Sequence, residues 1–176
     1  MKKILFYFLM LATMAMIGCK DDNKPAEENN SIVGSWIGCN TMNVEEGYTN
    51  LDSVTHNDCY IYLRFGSDNT FMMYMPAWWE SRTGTYSVND NTITIDIDNI
   101  ECKTNEFVGP AFHDHPNGHL QDMYGCATMA EWIAQNPEEA HFSISFTFDG
   151  GHLIFAEGPM GMPLTCVRDN NNIFNL

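Results

Sequence analysis

Residues 141–148 read His-Phe-Ser-Ile-Ser-Phe-Thr-Phe, so apolar and polar side chains alternate along the whole stretch. The same alternation runs through residues 92–97, which read Thr-Ile-Thr-Ile-Asp-Ile. A period of two places one face of a strand against a core and the other face in water, as is common in antiparallel sheets. These two stretches therefore predict an all-β, antiparallel protein.

The rest of the chain after residue 31 supports this prediction. Turn-forming residues at 66–69, 89–91 and 149–151 separate short apolar stretches, and this spacing is typical of hairpins. About eight short strands joined in this way form a sandwich or a barrel, and a barrel leaves no exposed sheet edge. The other strands are predicted at residues 33–39, 59–65, 70–75, 83–88, 151–156 and 164–168.

An insertion at about residues 101–140 interrupts the strand pattern and is too long for a hairpin loop. Within it, Thr128 and Glu131 have the spacing of a capping box, which predicts one short helix over residues 129–135. The apolar face of this helix, which includes Trp132, can cover one end of a barrel as a lid or pack outside the wall. Packing outside the wall is the simpler expectation.

The N-terminus carries an export pattern: Met-Lys-Lys is followed by an apolar run over residues 4–16. That run is too short for a membrane span, which needs about 20 apolar residues, but it is typical of a secretory signal. The run ends in Met-Ile-Gly-Cys at Cys19, which resembles the lipobox of bacterial lipoproteins. The resemblance implies a signal peptide at residues 1–18 and acylation of Cys19, and two or more acyl chains anchor a protein stably.

Residues 19–30 are almost free of large apolar side chains and are predicted to be a flexible tether. Lys20-Asp21-Asp22 resembles the signal that sends some lipoproteins to the outer face of the outer membrane. We therefore expect one barrel domain at residues 31–176, anchored by lipid to the outer membrane. Display on the cell surface is favoured over a position facing the periplasm.

The net charge argues against some classes of binding partner, and the cysteine spacing argues against some kinds of site. A formal net charge of −15 argues against nucleic acid and against adsorption to anionic lipid. Disulfides are expected in an exported protein, with at most two pairs, and Cys102–Cys126 is preferred because it would cross-link the insertion. No pair has the spacing of a redox motif or a zinc ribbon. The cysteines after Cys19 are Cys39, Cys59, Cys102, Cys126 and Cys166.

The first and last strands of the predicted barrel carry a family resemblance. Gly34-Ser35-Trp36 opens the first strand and Arg168 ends the last, which resembles lipocalins, where the arginine packs on the tryptophan and closes the barrel. Residues 63–71 and 84–88 also resemble the lipocalin-like domains of bacterial surface lipoproteins. The resemblance implies a lipocalin-like barrel, whereas function has to be argued from a site.

A pocket for a small apolar or amphipathic ligand is one predicted site. Two adjacent indoles, Trp78 and Trp79, cannot both point into one core, so one of them is a candidate for the barrel mouth. Methionines adapt to varied apolar ligands and also hold copper(I), although ordinary core packing is the favoured explanation for them. The candidate lining residues are Trp78, Trp79, Met73, Met75, Tyr86 and Trp132.

A second predicted site is the histidine-rich segment 113–119. His113, His115 and His119 lie within seven residues, and imidazole is a ligand for zinc and for copper. The spacing matches no established site, and a polar surface loop is an equally good explanation.

No catalytic motif of the hydrolase, phosphate-loop or zinc-protease kind is present. Asp96 and Asp98 are predicted on the wet face of a strand, which does not perturb a carboxyl pKa as acid catalysis requires. The favoured function is therefore a non-catalytic lipoprotein that binds a small ligand. The alternatives are a surface protein with a filled barrel that contacts another protein or a glycan, and a zinc or copper handler using residues 113–119.

Overall fold

The computed structural model describes residues 31–103 and 115–174, so the predicted signal peptide and the predicted lipidation site at Cys19 lie outside it. None of the described helices is long and apolar enough to cross a membrane. The elements within these ranges are β1 (Gly34–Asn40), α1 (Thr41–Glu45), β2 (Ile61–Phe65), β3 (Thr70–Met75), β4 (Glu80–Asn89), β5 (Thr92–Cys102), α2 (His119–Tyr124), α3 (Met129–Gln135), α4 (Pro137–Ala140), β6 (His141–Ser145), β7 (Thr147–Asp149), β8 (His152–Phe155) and β9 (Leu164–Arg168), with a 3₁₀ turn at Leu51–Ser53.

The nine strands form one antiparallel sheet in the order β6-β5-β4-β3-β2-β1-β9-β8-β7. Only Phe146 separates β6 from β7, so the two ends of the sheet are the two halves of one stretch of chain. The first half pairs with β5 and the second half pairs with β8. The sheet is thereby a nearly closed barrel with about eight strand positions, which confirms the predicted fold class.

One end of the barrel is closed by Trp36 and Arg168. Trp36 is fully buried, and the guanidinium carbon of Arg168 lies 4.3 Å from the centre of its ring. Arg168 also donates hydrogen bonds to the carbonyl oxygens of Ser31 and Val33, at 2.7 and 2.8 Å. Gly34 has φ +134°, and a Cβ there would lie 2.4 Å from the Arg168 side chain. Glycine is therefore required for the arginine to reach the indole.

Two apolar clusters flank the barrel wall. The interior cluster includes Trp36, Phe65, Ile93 and Ile95, which lie on alternate positions of their strands. A second cluster lies outside the wall, where the segment after β1 and the chain end after β9 cover Tyr62, Tyr74 and other side chains of β1–β3. Both faces of β2 and β3 are therefore buried, which explains why their sequences show little alternation.

The predicted helix in the insertion is α3. The Thr128 hydroxyl accepts a hydrogen bond from the Glu131 amide at 3.2 Å, and the Glu131 carboxylate accepts one from the Ala127 amide at 2.7 Å. Two further short helices, α2 and α4, flank α3. Trp132 belongs to the interior cluster, so the insertion covers the barrel end opposite Trp36. The expectation that its apolar face packs outside the wall was wrong, since Trp132 is fully buried in the interior cluster.

The predicted disulfides are absent from the described residues, where all five cysteines are free thiols. Cys126 is buried below α3, and its thiol donates a hydrogen bond to the carbonyl oxygen of Tyr124 at 3.5 Å. Cys102 ends β5 beside two imidazoles instead. The preferred Cys102–Cys126 pairing was therefore wrong, because the two thiols have different neighbours.

Candidate functional site

The site lies at the covered end of the barrel, called the mouth here, where β3 and β5 end and β4 begins. Register pairs Glu80 with Met75 and Arg82 with Met73. Because both methionines belong to the interior cluster, both charged side chains of β4 point into the barrel. An ion pair thus lies inside the barrel, below the helices of the insertion.

Glu80 and Arg82 form a buried polar cluster with three side chains of the insertion. Only 1% of Glu80 and 5% of Arg82 is exposed. The guanidinium donates to Glu80 at 2.7 Å, to Glu139 at 2.9 Å and to the Tyr124 hydroxyl at 3.1 Å. The other carboxylate oxygen of Glu80 accepts a hydrogen bond from the Tyr124 hydroxyl and lies 2.9 Å from Nε2 of His119. The helices are therefore joined to the barrel by charged hydrogen bonds as well as by apolar contact.

The cluster shifts the pKa values of its members. Burial raises the pKa of the Glu80 carboxyl, but the Tyr124 hydrogen bond and the Arg82 charge outweigh burial and bring that pKa below its ordinary value. Burial and then the hydrogen bond to Glu80 raise the pKa of Tyr124 to about 12. At neutral pH the cluster therefore holds an ionised Glu80, a charged Arg82 and a neutral Tyr124.

We expect acid to destabilise the fold through Glu80. Its pKa is lower in the folded protein than in the unfolded chain, so its contribution to stability is complete above the unfolded value and is lost as the pH falls through the folded value. Urea unfolding between pH 7 and pH 3 measures this loss. Glu80→Gln should show a shallower decline than the wild type in the acid range, and equal declines would contradict the assignment.

A cleft of about 850 Å³ opens beside this cluster. It lies between β6 and the loop that joins β8 to β9. β6 pairs with β5 and β8 pairs with β7, so β6 and β8 are not hydrogen-bonded to each other. Its apolar lining includes Met160 and Trp78, which is 49% exposed, and Arg82 and Tyr124 are among its polar lining residues. The carboxylates in its lining belong to Glu138, Glu139 and Glu157.

The residues of the predicted ligand pocket lie in different parts of the structure. Trp78 and Met73 line the cleft, whereas Trp79 is not among its described lining residues. Met75 and Trp132 are packed in the interior cluster, and Tyr86 lies at the far end of the barrel, where its hydroxyl donates to the Gly66 carbonyl oxygen at 2.8 Å. The remaining lining residues come from β4, the helices α2 and α4, β6 and the β8–β9 loop. No local sequence signal connects these distant segments.

The structure describes two of the three residues of the predicted histidine site, His115 and His119. His113 lies outside the described residues. His115 and His119 approach each other, with Nε2 of His115 and Nδ1 of His119 3.3 Å apart. Cys102 joins them, and one ligand atom from each of the three lies within 4.8 Å of the others.

Sequence reasoning missed Glu80, Arg82 and Tyr124. The fourth strand was predicted at residues 83–88, so Glu80 and Arg82 lay outside it, whereas β4 begins at Glu80. Glu80 and Arg82 are spaced by two from Gly84 and Tyr86, so all four lie on the same, inner face of the strand. This spacing was the available signal.

No family model, no curated protein and no solved structure matches the chain significantly.

Proposed function

We propose that the protein is a non-catalytic lipoprotein, anchored to the outer membrane through Cys19, that binds a small amphipathic ligand at the barrel mouth. The observation that carries this proposal is the cleft beside β6, whose volume of about 850 Å³ falls in the usual range for ligand sites. Its lining combines apolar surface with a few polar groups. That combination suits a ligand with one apolar and one polar end.

The charges of the cleft indicate which polar end fits. Arg82 already donates to Glu80, Glu139 and Tyr124, so its guanidinium is poorly placed to receive an anionic ligand. Glu138 and Glu157 add negative charge to the lining. A ligand with a neutral or cationic head group is therefore favoured over a fatty acid, because the carboxylates would repel a second anion.

Binding is tested with the full chain purified in detergent. Native mass spectrometry should detect a retained organic mass, and an alkylamine should bind more tightly than an alkyl carboxylate of the same chain length. Trp78→Ala should weaken alkylamine binding about tenfold, since a stacked or packed indole contributes on the order of 1 kcal/mol. Tyr48→Ala is the matched control, because Tyr48 is exposed and is not among the described lining residues.

The opposite results have a clear meaning. If no organic mass is retained and neither probe binds saturably, the ligand-binding proposal fails, and contact with another surface protein or a glycan becomes the better function. If both probes bind but Trp78→Ala and Tyr48→Ala behave alike, the ligand does not occupy this cleft.

A further inference from the structure

We propose that Cys102, His115 and His119 form a binding site for a zinc ion at the barrel mouth, a function separate from the ligand cleft. The three side chains come from two places in the chain, the end of β5 and the turn and first residue of α2. One ligand atom from each lies within 4.8 Å of the other two. Thiolate sulfur and imidazole nitrogen are the ligands that zinc prefers in proteins.

The spacing of the two imidazoles fits a tetrahedral ion. Nε2 of His115 and Nδ1 of His119 are 3.3 Å apart. Two nitrogens bound to tetrahedral zinc, each about 2.05 Å from the metal, are separated by about 3.3 Å. The two rings are also nearly perpendicular, at an interplanar angle of 84°, so they are not stacked on each other. Their nitrogens therefore already have the separation of neighbouring ligands.

Each imidazole has a carboxylate at its other nitrogen. Nε2 of His119 lies 2.9 Å from Glu80, and Nδ1 of His115 lies 3.7 Å from Asp122. The hydrogen bond between His119 and Glu80 is of the kind that fixes the tautomer and orients the ring in the second layer of zinc sites, whereas Asp122 is an electrostatic neighbour of His115. Glu80 is itself held by Arg82 and Tyr124. The buried cluster thus presents Nδ1 of His119 towards the proposed metal position.

The thiol completes the set of ligands. Register pairs Cys102 with Glu80, so the cysteine lies on the inner side of the barrel wall, next to the imidazoles. Burial raises the pKa of Cys102, and the charge of Glu80 adds to the effect, so the thiol is protonated without a cation. A bound zinc ion would displace that proton. Three protein ligands leave a fourth tetrahedral position for water or a small anion.

This site differs from the one that the histidine spacing alone predicts, since Cys102 replaces His113 in the described ligand set. The Cys102→Ser variant therefore separates the two sites. Cobalt(II) is a suitable probe because it takes the tetrahedral geometry of zinc and a cobalt–thiolate bond gives a charge-transfer absorption band that imidazole alone does not.

The experiment uses the full chain in detergent under reducing conditions, after removal of metal by a chelator. The wild type should bind one equivalent of zinc in competition with a chromophoric chelator, and cobalt(II) should produce the thiolate band. Cys102→Ser should abolish the band and weaken zinc binding more than the tenfold to hundredfold expected of Asp122→Asn, which removes only an outer carboxylate. Cys59→Ser and His152→Ala are matched controls, and both should bind zinc as the wild type does.

Several results would overturn the proposal. One is a wild type that takes up no stoichiometric zinc, which would leave the histidine pair with a packing role only. Another is a thiolate band that persists in Cys102→Ser. His115→Ala, which removes a less buried ligand than His119, should also lose tight binding, and unchanged affinity there would reject the site. Circular dichroism of each variant shows whether the barrel is intact.

Discussion

Replacing Arg82 with methionine is expected to lower the free energy of unfolding by about 3–5 kcal/mol, because it leaves the buried Glu80 carboxylate without its charged partner. Glu80 is 1% exposed and accepts a hydrogen bond from the guanidinium at 2.7 Å. Tyr124 and His119 remain as partners, but neither carries the permanent charge that offsets burial. Urea unfolding at pH 7 measures the difference.

Two controls test this reason. Arg64→Met changes an exposed arginine on β2 and should alter stability by about 0.5 kcal/mol or less. The double variant Glu80→Met, Arg82→Met removes both charges and should be more stable than Arg82→Met alone. The loss in Arg82→Met should also shrink as the pH falls, since protonation neutralises the unpaired carboxylate. A loss that is equal at pH 7 and pH 4 would contradict the electrostatic explanation.

Replacing Trp36 with alanine is expected to lower the free energy of unfolding by about 3–5 kcal/mol, the usual range for a buried indole. The ring is fully buried, its Nε1 donates to the Ile32 carbonyl oxygen at 2.7 Å, and it carries the stacked guanidinium of Arg168. The cavity would open at the closed end of the barrel. Denaturant unfolding followed by circular dichroism measures the loss.

Trp78→Ala is the matched control for this prediction, because it removes the same side chain from a half-exposed position. Its effect on stability should stay below about 1 kcal/mol. Similar losses for the two variants would mean that Trp36 does not close the barrel in the way described. Trp36→Phe, which retains part of the ring volume, should lie between the wild type and Trp36→Ala.

Local patterns predicted the strands well where one face is wet. Apolar and polar residues alternate strictly at 92–97, which begin β5, and at 141–148, which form β6 and most of β7. The capping residues Thr128 and Glu131 likewise predicted the start of α3. These signals depend only on neighbours in the chain, so they can be read from sequence.

The candidate sites were harder to predict because their parts are distant in the chain. Glu80 meets His119 and Tyr124 across about 40 residues. The preferred disulfide failed for the same reason: the position of Cys102 in the register of β5 determines its neighbours, and one residue of shift would turn its side chain to the other face.

Periodicity and local caps in the sequence determined an antiparallel all-β fold and the helix at residues 129–135, because both depend only on neighbouring residues. The resemblance to lipocalins predicted the barrel and the closure of one end by Gly34, Trp36 and Arg168. Only the tertiary structure decided that Glu80 and Arg82 face inward, that the insertion covers the mouth, and that Cys102 joins His115 and His119. Strand register and the packing of the insertion bring these groups together, and both depend on contacts between residues that are far apart in the chain.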